Sequence, residues 1–156
     1  SFAFSRVYLN ERELGEAGIY GALAGEYGVP VVMASGDDVF IEEHRPLFPH
    51  ATFVQTKRAT GQTSGISLSP SQACKAIRAG AAAAVAAALT QPTPAFVLAG
   101  PIHVRIQTQS PALADLFCQW PSLARLDGDQ IGFEAPTVEA AVRTVNCLSA
   151  MSSMLR

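Results

Sequence analysis

The sequence predicts an α/β fold that is followed by a small α+β subdomain. Short apolar runs alternate with stretches of helical periodicity over residues 1–92, which is typical of α/β domains. Segment 91–94, Gln-Pro-Thr-Pro, breaks the chain and marks the expected boundary. Residues 93–156 follow the order strand, helix, strand, strand, helix (βαββα). We therefore expect one domain over residues 1–92 and a second over residues 93–156.

The first predicted elements are a strand and a helix. Residues 7–9 are apolar and are followed by a polar turn, and small residues recur at helical spacing over residues 14–26. Gly28 is a typical helix stop. Three glycines share one face of this helix: Gly18, Gly21 and Gly25. Because glycine destabilises a helix interior, we expect another element to pack very close to that face.

A buried, parallel strand is predicted next, over residues 30–35, because the run is short, apolar and closed by polar residues. Asp37 or Asp38 can cap the helix that follows. That helix should end near His44, because Pro46 disfavours helical geometry in the residue before it.

A strand over residues 51–56 and a polar loop over residues 57–67 precede the clearest helix start in the sequence. Ser69 suits the N-cap, Pro70 suits the first helical position, and Gln72 can close a capping box. We expect a long helix to follow, ending near residue 89.

The second domain is predicted from four further features. A strand covers residues 102–108, a helix covers residues 111–119, and two strands flank residues 127–129. The last helix carries one apolar face, formed by Val138, Ala141, Val142, Val145, Leu148 and Met151.

Charge and composition argue against two classes of partner. The chain has 11 basic and 13 acidic residues, a net charge of -2 and no basic cluster, so nucleic acid is not expected to bind. The apolar run at residues 79–89 is shorter than the roughly 20 residues that cross a bilayer, so we expect a buried helix and no membrane contact. Cys74, Cys118 and Cys147 lie among apolar residues and are expected to be reduced core thiols, which favours the cytoplasm.

The low charge content indicates an assembly subunit or a piece of a longer chain. Charged residues make up 15% of this sequence, against about 25% in an average globular protein. The first residue, Ser1, agrees with a cut or processed chain. An N-terminal serine can also act as a nucleophile with its own amine as base, so an N-terminal-serine hydrolase is one alternative.

Three residues are candidates for a functional site. Glu16 lies in the first turn of the first helix. Its carboxylate can bind a ligand there, or the helix dipole can simply stabilise it, and both interpretations are open. The residues by themselves favour stabilisation by the helix dipole. Asp37 and Lys57 each end a predicted strand, where open α/β sheets commonly place ligand groups. Two simpler interpretations are equally good: Asp37 can cap the following helix, and Lys57 can be a solvated side chain.

The three histidines are not expected to bind a metal. His44, His50 and His103 have no second histidine or cysteine at metal spacing. The segment Glu42-Glu43-His44 lies on a helix that should be exposed, so we interpret His44 as a surface residue.

Six segments of the first ninety residues form an ordered set of motifs. They are Tyr8-Leu9-Asn10-Glu11, Leu14-Gly15-Glu16-Ala17-Gly18, Ala24-Gly25-Glu26-Tyr27-Gly28-Val29-Pro30-Val31, Ser35-Gly36-Asp37-Asp38, Val54-Gln55-Thr56-Lys57 and Ser67-Leu68-Ser69-Pro70. Together they resemble the zinc-dependent D-aminopeptidase family over about residues 6–90. The part after Pro94 matches only in the order of its strands and helices.

The resemblance implies a metal-dependent aminopeptidase that holds two zinc ions and cleaves short peptides from the N-terminus. Glu16 matches the last glutamate ligand of the family, in its Gly-Glu-x-Gly segment. The other ligands and the catalytic histidine would lie upstream of Ser1. Because zinc takes about three or four protein ligands, the resemblance implies a C-terminal portion that works with the N-terminal half of a parent enzyme.

The resemblance also implies a ring-shaped homo-oligomer with its active sites facing an interior chamber. Residues 1–92 would then be the C-terminal part of the metallopeptidase domain. Tyr20 and Gln62 stand where the family usually has a smaller polar residue and an arginine, so D-amino-acid specificity stays open. A catalytically inert α/β binding or assembly module is the alternative to the enzyme.

Overall fold

A computed structural model of the protein describes residues 3–155. Ser1, considered above as a nucleophile, lies outside the described residues. The strands are β1 (Phe4–Leu9), β2 (Arg12–Glu13), β3 (Met33–Asp37), β4 (Thr52–Gly61), β5 (Ser64–Ser67), β6 (Ile102–Thr108), β7 (Ala124–Arg125) and β8 (Gln130–Ala135). The helices are α1 (Glu16–Glu26), α2 (Asp38–His44), α3 (Pro70–Thr90), α4 (Pro111–Phe117) and α5 (Val138–Met151), followed by a 3-10 turn at Ser152–Leu155.

The chain divides into two compact units, and one of them is made of two separate segments. The discontinuous unit comprises Ser1–Tyr27 and Val97–Arg156, and the inserted unit comprises Gly28–Phe96. The sequence predicts a boundary between residues 92 and 93, with residues 1–27 in the first domain. In the structure, residues 1–27 belong instead to the same unit as residues 97–156. The physical reason is that β1 pairs antiparallel with β6, a strand about a hundred residues further along the chain.

The discontinuous unit is an antiparallel sheet covered by helices. Its strand order is β2-β1-β6-β8-β7, and both α4 and α5 pack against β6 and β8. Strand β6 alternates buried and more exposed residues along its length, as expected when only one face of a strand is covered by helices. The predicted βαββα order is confirmed. The largest fully buried side chains of the unit are Leu9, Ile102, Ile106, Phe117, Ile131, Val138 and Leu148.

The inserted unit contains a three-stranded sheet with the order β3-β4-β5. Strand β3 is parallel to β4, as predicted, but all its residues are at least partly exposed, so the expectation of a buried strand is wrong. The predicted polar loop at residues 57–67 is also wrong, because β4 continues to Gly61 and forms an antiparallel hairpin with β5. Most residues of this hairpin are exposed, so no apolar alternation marked it in the sequence.

Helix α3 begins as predicted. The Ser69 hydroxyl oxygen accepts a hydrogen bond from the Gln72 backbone N–H (3.4 Å), and Pro70 occupies the first turn. The Gln72 side chain closes the cap differently from a capping box, because its carbonyl oxygen accepts from the Ser69 hydroxyl (3.1 Å).

The expectation that α3 is buried is wrong. Only Ala84 is buried, and the Leu89 side chain is 82% exposed. The whole helix has 21 residues and is long and apolar enough to cross a membrane, by length and composition only. The uninterrupted apolar run at residues 79–89 is shorter than the helix, which begins at Pro70. One such helix is weak evidence for a membrane.

The cysteines are not core residues. Cys74 and Cys147 are exposed, Cys118 is partly buried, and all three are free thiols. The expectation of reduced thiols agrees with this, whereas the expectation of core positions is wrong. Apolar sequence neighbours did not predict burial, because α3 and the outer face of α5 leave these positions open.

His44 is buried rather than exposed, so its interpretation as a surface residue is wrong. Its side chain is 2% exposed, and Nδ1 donates to the backbone oxygen of Phe40 (2.8 Å). The ring centroid lies 4.3 Å from that of Phe40 and 6.2 Å from that of Phe48. Nε2 has no hydrogen-bond partner among the described residues. The imidazole thus serves as an aromatic core residue of the inserted unit.

Candidate functional site

Glu16 is the first residue of α1, and its side chain is exposed. The backbone before it is ordered by the sheet, because Leu14 N–H donates to Val7 O (2.9 Å). Gly15 is the extended N-cap residue, and its oxygen accepts from Ile19 N–H (3.0 Å). Within residues 3–155, no hydrogen bond or ion pair engages the Glu16 carboxylate. It is therefore free to bind a ligand at a helix start that favours negative charge.

The three glycines that share one face of α1 are buried, and α5 is the helix that packs against α1. The Glu26 carboxylate accepts from the backbone N–H of Val138 (2.6 Å), which ties the last turn of α1 to the first turn of α5. At the same end, the Tyr27 hydroxyl donates to Glu139 (2.7 Å). The helix that presents Glu16 is thus held firmly within the discontinuous unit.

The pKa shifts of Glu139 and Tyr27 agree with the contact between them, which joins α1 to α5. The hydrogen bond from Tyr27, and then the positive charge of Arg143, lower the pKa of the Glu139 carboxyl. The same hydrogen bond raises the pKa of Tyr27. Glu139 is therefore committed to structural contacts, unlike Glu16.

A complete metal site is not formed by the described residues. Residues 3–155 contain no group of three or more histidine, cysteine, aspartate or glutamate side chains that could hold a metal ion. Zinc requires about three or four protein ligands. Glu16 provides one oxygen donor of suitable chemistry, and the chain by itself does not fit a zinc ion.

Asp37 caps α2, as one of the two sequence interpretations proposed. Its Oδ1 accepts from the backbone N–H of Phe40 (2.8 Å). Asp37 also lines an open depression of about 610 Å³ in the inserted unit, together with Glu43 and Gln62. Its carboxylate therefore has a structural partner and also borders a space that a small molecule could enter.

Asp38 has a different partner. Its Oδ1 accepts from the backbone N–H of Ala59 in β4 (2.8 Å), and this hydrogen bond lowers the pKa of the Asp38 carboxyl. The side chain thus connects the start of α2 to β4.

Lys57 lies within β4 rather than at its end, which corrects the sequence expectation. Its side chain is exposed, and it is the register partner of Asp37 in the parallel pair of β3 and β4. The structure therefore brings Asp37 and Lys57 together on neighbouring strands of the inserted unit, whereas Glu16 belongs to the discontinuous unit.

The two positions that depart from the family pattern are both accessible. Tyr20 is 48% exposed, and its hydroxyl donates to Asn146 Oδ1 (3.1 Å). Gln62 is exposed in the turn between β4 and β5.

One polar side chain with a specific role was missed by the sequence reasoning. Asn10 follows β1, and its side chain makes two hydrogen bonds to backbone atoms near the start of β6. The available signal is its place in the motif Tyr8-Leu9-Asn10-Glu11, which by itself predicts only a polar turn.

Comparison with known proteins agrees with the sequence motifs. A family model described as D-aminopeptidase, peptidase family M55, matches residues 1–147. The D-aminopeptidase of Bacillus subtilis (strain 168) is 36% identical over 72 residues, which cover 46% of this chain and 26% of that protein.

A solved structure with a similar fold is described as the Zn-dependent D-aminopeptidase DppA from Bacillus subtilis, a self-compartmentalizing protease. It superposes with a TM-score of 0.89 at 21% identity, covering 98% of this chain and 56% of that one. The chain therefore spans little more than half of that relative, and the likeness supports the α/β fold. Because the family model matches nearly the whole sequence, this chain belongs to the M55 D-aminopeptidase family.

Proposed function

We propose that this chain is the C-terminal portion of a zinc-dependent aminopeptidase that cleaves short peptides from their N-terminus. The observation that carries the proposal is Glu16. This residue lies in the Gly-Glu-Ala-Gly segment at the start of α1, with an exposed carboxylate that is not engaged by any described residue. Family membership supports a peptidase, and the solved relative is described as zinc-dependent.

Glu16 contributes one zinc ligand in this proposal. The remaining ligands of two zinc ions and the catalytic histidine come from the N-terminal half of the parent enzyme. The coverage of only 56% of the solved relative supports this division, as does the incomplete ligand set of the described residues. We assign this chain the role of a single ligand and no step of the hydrolysis.

Asp37 and Lys57 are the proposed substrate-binding residues. An aspartate carboxylate can bind the ammonium group of a peptide, and a lysine can bind its carboxylate. Their proximity across β3 and β4, and the depression beside Asp37, support this role. D-amino-acid-containing peptides are one substrate class to test.

Assembly and location are part of the same proposal. A homo-oligomer is supported by the low charge content and by the exposed apolar residues of α3. The solved relative is described as self-compartmentalizing. A cytoplasmic location is supported by three free thiols.

Zinc analysis of Glu16 variants tests the ligand role. In the parent protein, Glu16→Gln should reduce bound zinc and peptide hydrolysis to near background, because an amide is a poor replacement for a carboxylate ligand. The matched control is Glu139→Gln, which also changes a carboxylate in the first turn of a helix but should retain zinc. Full zinc occupancy in the Glu16→Gln protein would contradict the proposal.

A catalytically inert binding or assembly module is the second candidate. It is favoured by the absence of a three-residue ligand group within residues 3–155 and by the exposed face of α3. This candidate predicts that the parent protein contains no zinc and does not hydrolyse dipeptides, whereas the first candidate predicts both properties.

A further inference from the structure

The turn between β1 and β2 contains a side chain with no role in the proposed function. Leu9 pairs with Arg12, so Asn10 and Glu11 form a two-residue hairpin loop. Both have positive φ angles, 49° and 64°, as a type I′ turn requires. Asparagine is well suited to this backbone conformation, but glycine adopts it with less strain. The turn conformation alone therefore does not require asparagine.

The Asn10 side chain forms hydrogen bonds with two backbone groups near the start of β6. Its Nδ2 donates to Ala99 O (2.8 Å), and its Oδ1 accepts from His103 N–H (2.8 Å). The Asn10 backbone N–H also donates to His103 O (2.9 Å). The asparagine amide supplies the donor and the acceptor on two separate atoms, whereas an ionised aspartate lacks the donor.

The clamped turn lies six residues before Glu16, and the backbone between them is hydrogen-bonded to β1. Tyr8 pairs with Glu13, and Leu14 N–H donates to Val7 O (2.9 Å). The Leu14 side chain is 4% exposed and anchors the end of this ladder. The position of Glu16 therefore depends on the β1–β2 hairpin, and the hairpin is held against β6 by Asn10.

We propose that Asn10 is a positioning residue whose side chain clamps the β1–β2 turn to β6 and thereby fixes the Glu16 carboxylate at the start of α1. The functional consequence rests on the proposed role of Glu16 as a zinc ligand. The positional part rests only on the contacts described above.

Amide hydrogen exchange on the 156-residue chain tests the positional part. Asn10→Gly keeps the positive φ and removes both side-chain bonds, whereas Asn10→Asp retains the acceptor. In Asn10→Gly, the Leu14 and Ile19 amides should exchange about 30-fold faster than in the wild type, since both side-chain hydrogen bonds that hold the turn against β6 are lost together. Asn10→Asp should lie between the two.

Two comparisons separate this local effect from general destabilisation. Amides of β8 should be unchanged in Asn10→Gly, and equal acceleration at β8 and at Leu14 would overturn the proposal. Asn146→Ala, which removes the partner of Tyr20, is the control variant and should leave Leu14 protected. Unchanged exchange at Leu14 and Ile19 in Asn10→Gly would also overturn it.

Zinc affinity in the parent protein tests the functional part. Removing residues that orient a metal ligand typically costs 10–100-fold in affinity, so we expect about a 10-fold loss in Asn10→Gly and partial recovery in Asn10→Asp. If Glu16→Gln abolishes zinc binding but Asn10→Gly does not weaken it, the positioning role is wrong. If the wild type binds no zinc, the proposed function fails, and the exchange experiment still decides whether Asn10 fixes the start of α1.

Discussion

The two units of this chain differ in how much of their stability comes from buried side chains. The discontinuous unit has a continuous core between its antiparallel sheet and its helices, including Ile106 and Phe117, which are fully buried. The inserted unit buries only three hydrophobic residues by comparison: Ile41, Phe48 and Ala84. Its parallel strands are partly exposed, although parallel strands are usually covered on both faces.

This difference shows that similar secondary structure can depend on different interactions. Helix α5 gains its stability largely from the core residues on its inner face, and its N-terminus is capped twice, by Thr137 and by Glu26. Helix α2 is short and relies on the Asp37 cap and on the aromatic contacts of His44. Polar contacts should therefore matter more in the inserted unit.

The largest expected effect is in the core of the discontinuous unit. Phe117→Ala should lower the free energy of unfolding by about 3–5 kcal/mol, because it removes a fully buried aromatic ring and leaves a cavity in the core. Urea unfolding followed by circular dichroism measures this change. The comparison in the inserted unit is Leu89→Ala on α3, which should change the free energy of unfolding by less than about 0.5 kcal/mol, since the side chain is 82% exposed. Similar losses in both variants would contradict the difference in burial between these two positions.

A smaller effect should distinguish the two helix caps. Asp37→Ala should destabilise α2 by about 1 kcal/mol, because the Phe40 N–H loses its acceptor. Thr137→Ala removes the acceptor of the Ala140 N–H but leaves Glu26 bound at the same helix end, so its cost should be lower. Amide exchange in α2 and α5 measures both. An equal or greater loss for Thr137→Ala would contradict this interpretation.

The smallest effect should appear only in acid. The pKa of Asp38 in the folded chain lies below its ordinary value of 3.8, chiefly because of the hydrogen bond from Ala59. Its stabilising contribution is therefore complete above pH 4 and is lost as the pH falls through the lowered pKa.

We expect the Ala59 amide to lose protection in that acid range, as measured by hydrogen exchange at pH values from 5 to about 2. Asp38→Asn should remove this pH dependence at Ala59 while leaving β6 unaffected. An Ala59 amide whose protection is as pH-dependent in Asp38→Asn as in the wild type would show that another group controls it.

Much of the secondary structure followed from local signals. Ser69 and Pro70 correctly marked the start of α3, and β6 was predicted at the residues where it occurs. The motif that contains Glu16 led to the family, which the match over residues 1–147 confirms. The roles of Glu16, Asp37 and Lys57 stay predictions.

Burial and strand partners could not be derived in the same way. The alanine-rich run of α3 and the polar context of His44 both suggested the opposite of their actual exposure. Asn10 looked like an ordinary turn residue, because its partners Ala99 and His103 lie about ninety residues away.

The sequence by itself determined where helices begin and end and which family the chain belongs to, because caps, periodicity and motifs act over a few neighbouring residues. Only the tertiary structure decided that β1 joins β6, that β4 continues into a hairpin and that α3 is exposed. These features depend on which distant segments pack together. The same is true of the Glu16 position, which depends on a turn held in place by Asn10 and by the distant start of β6.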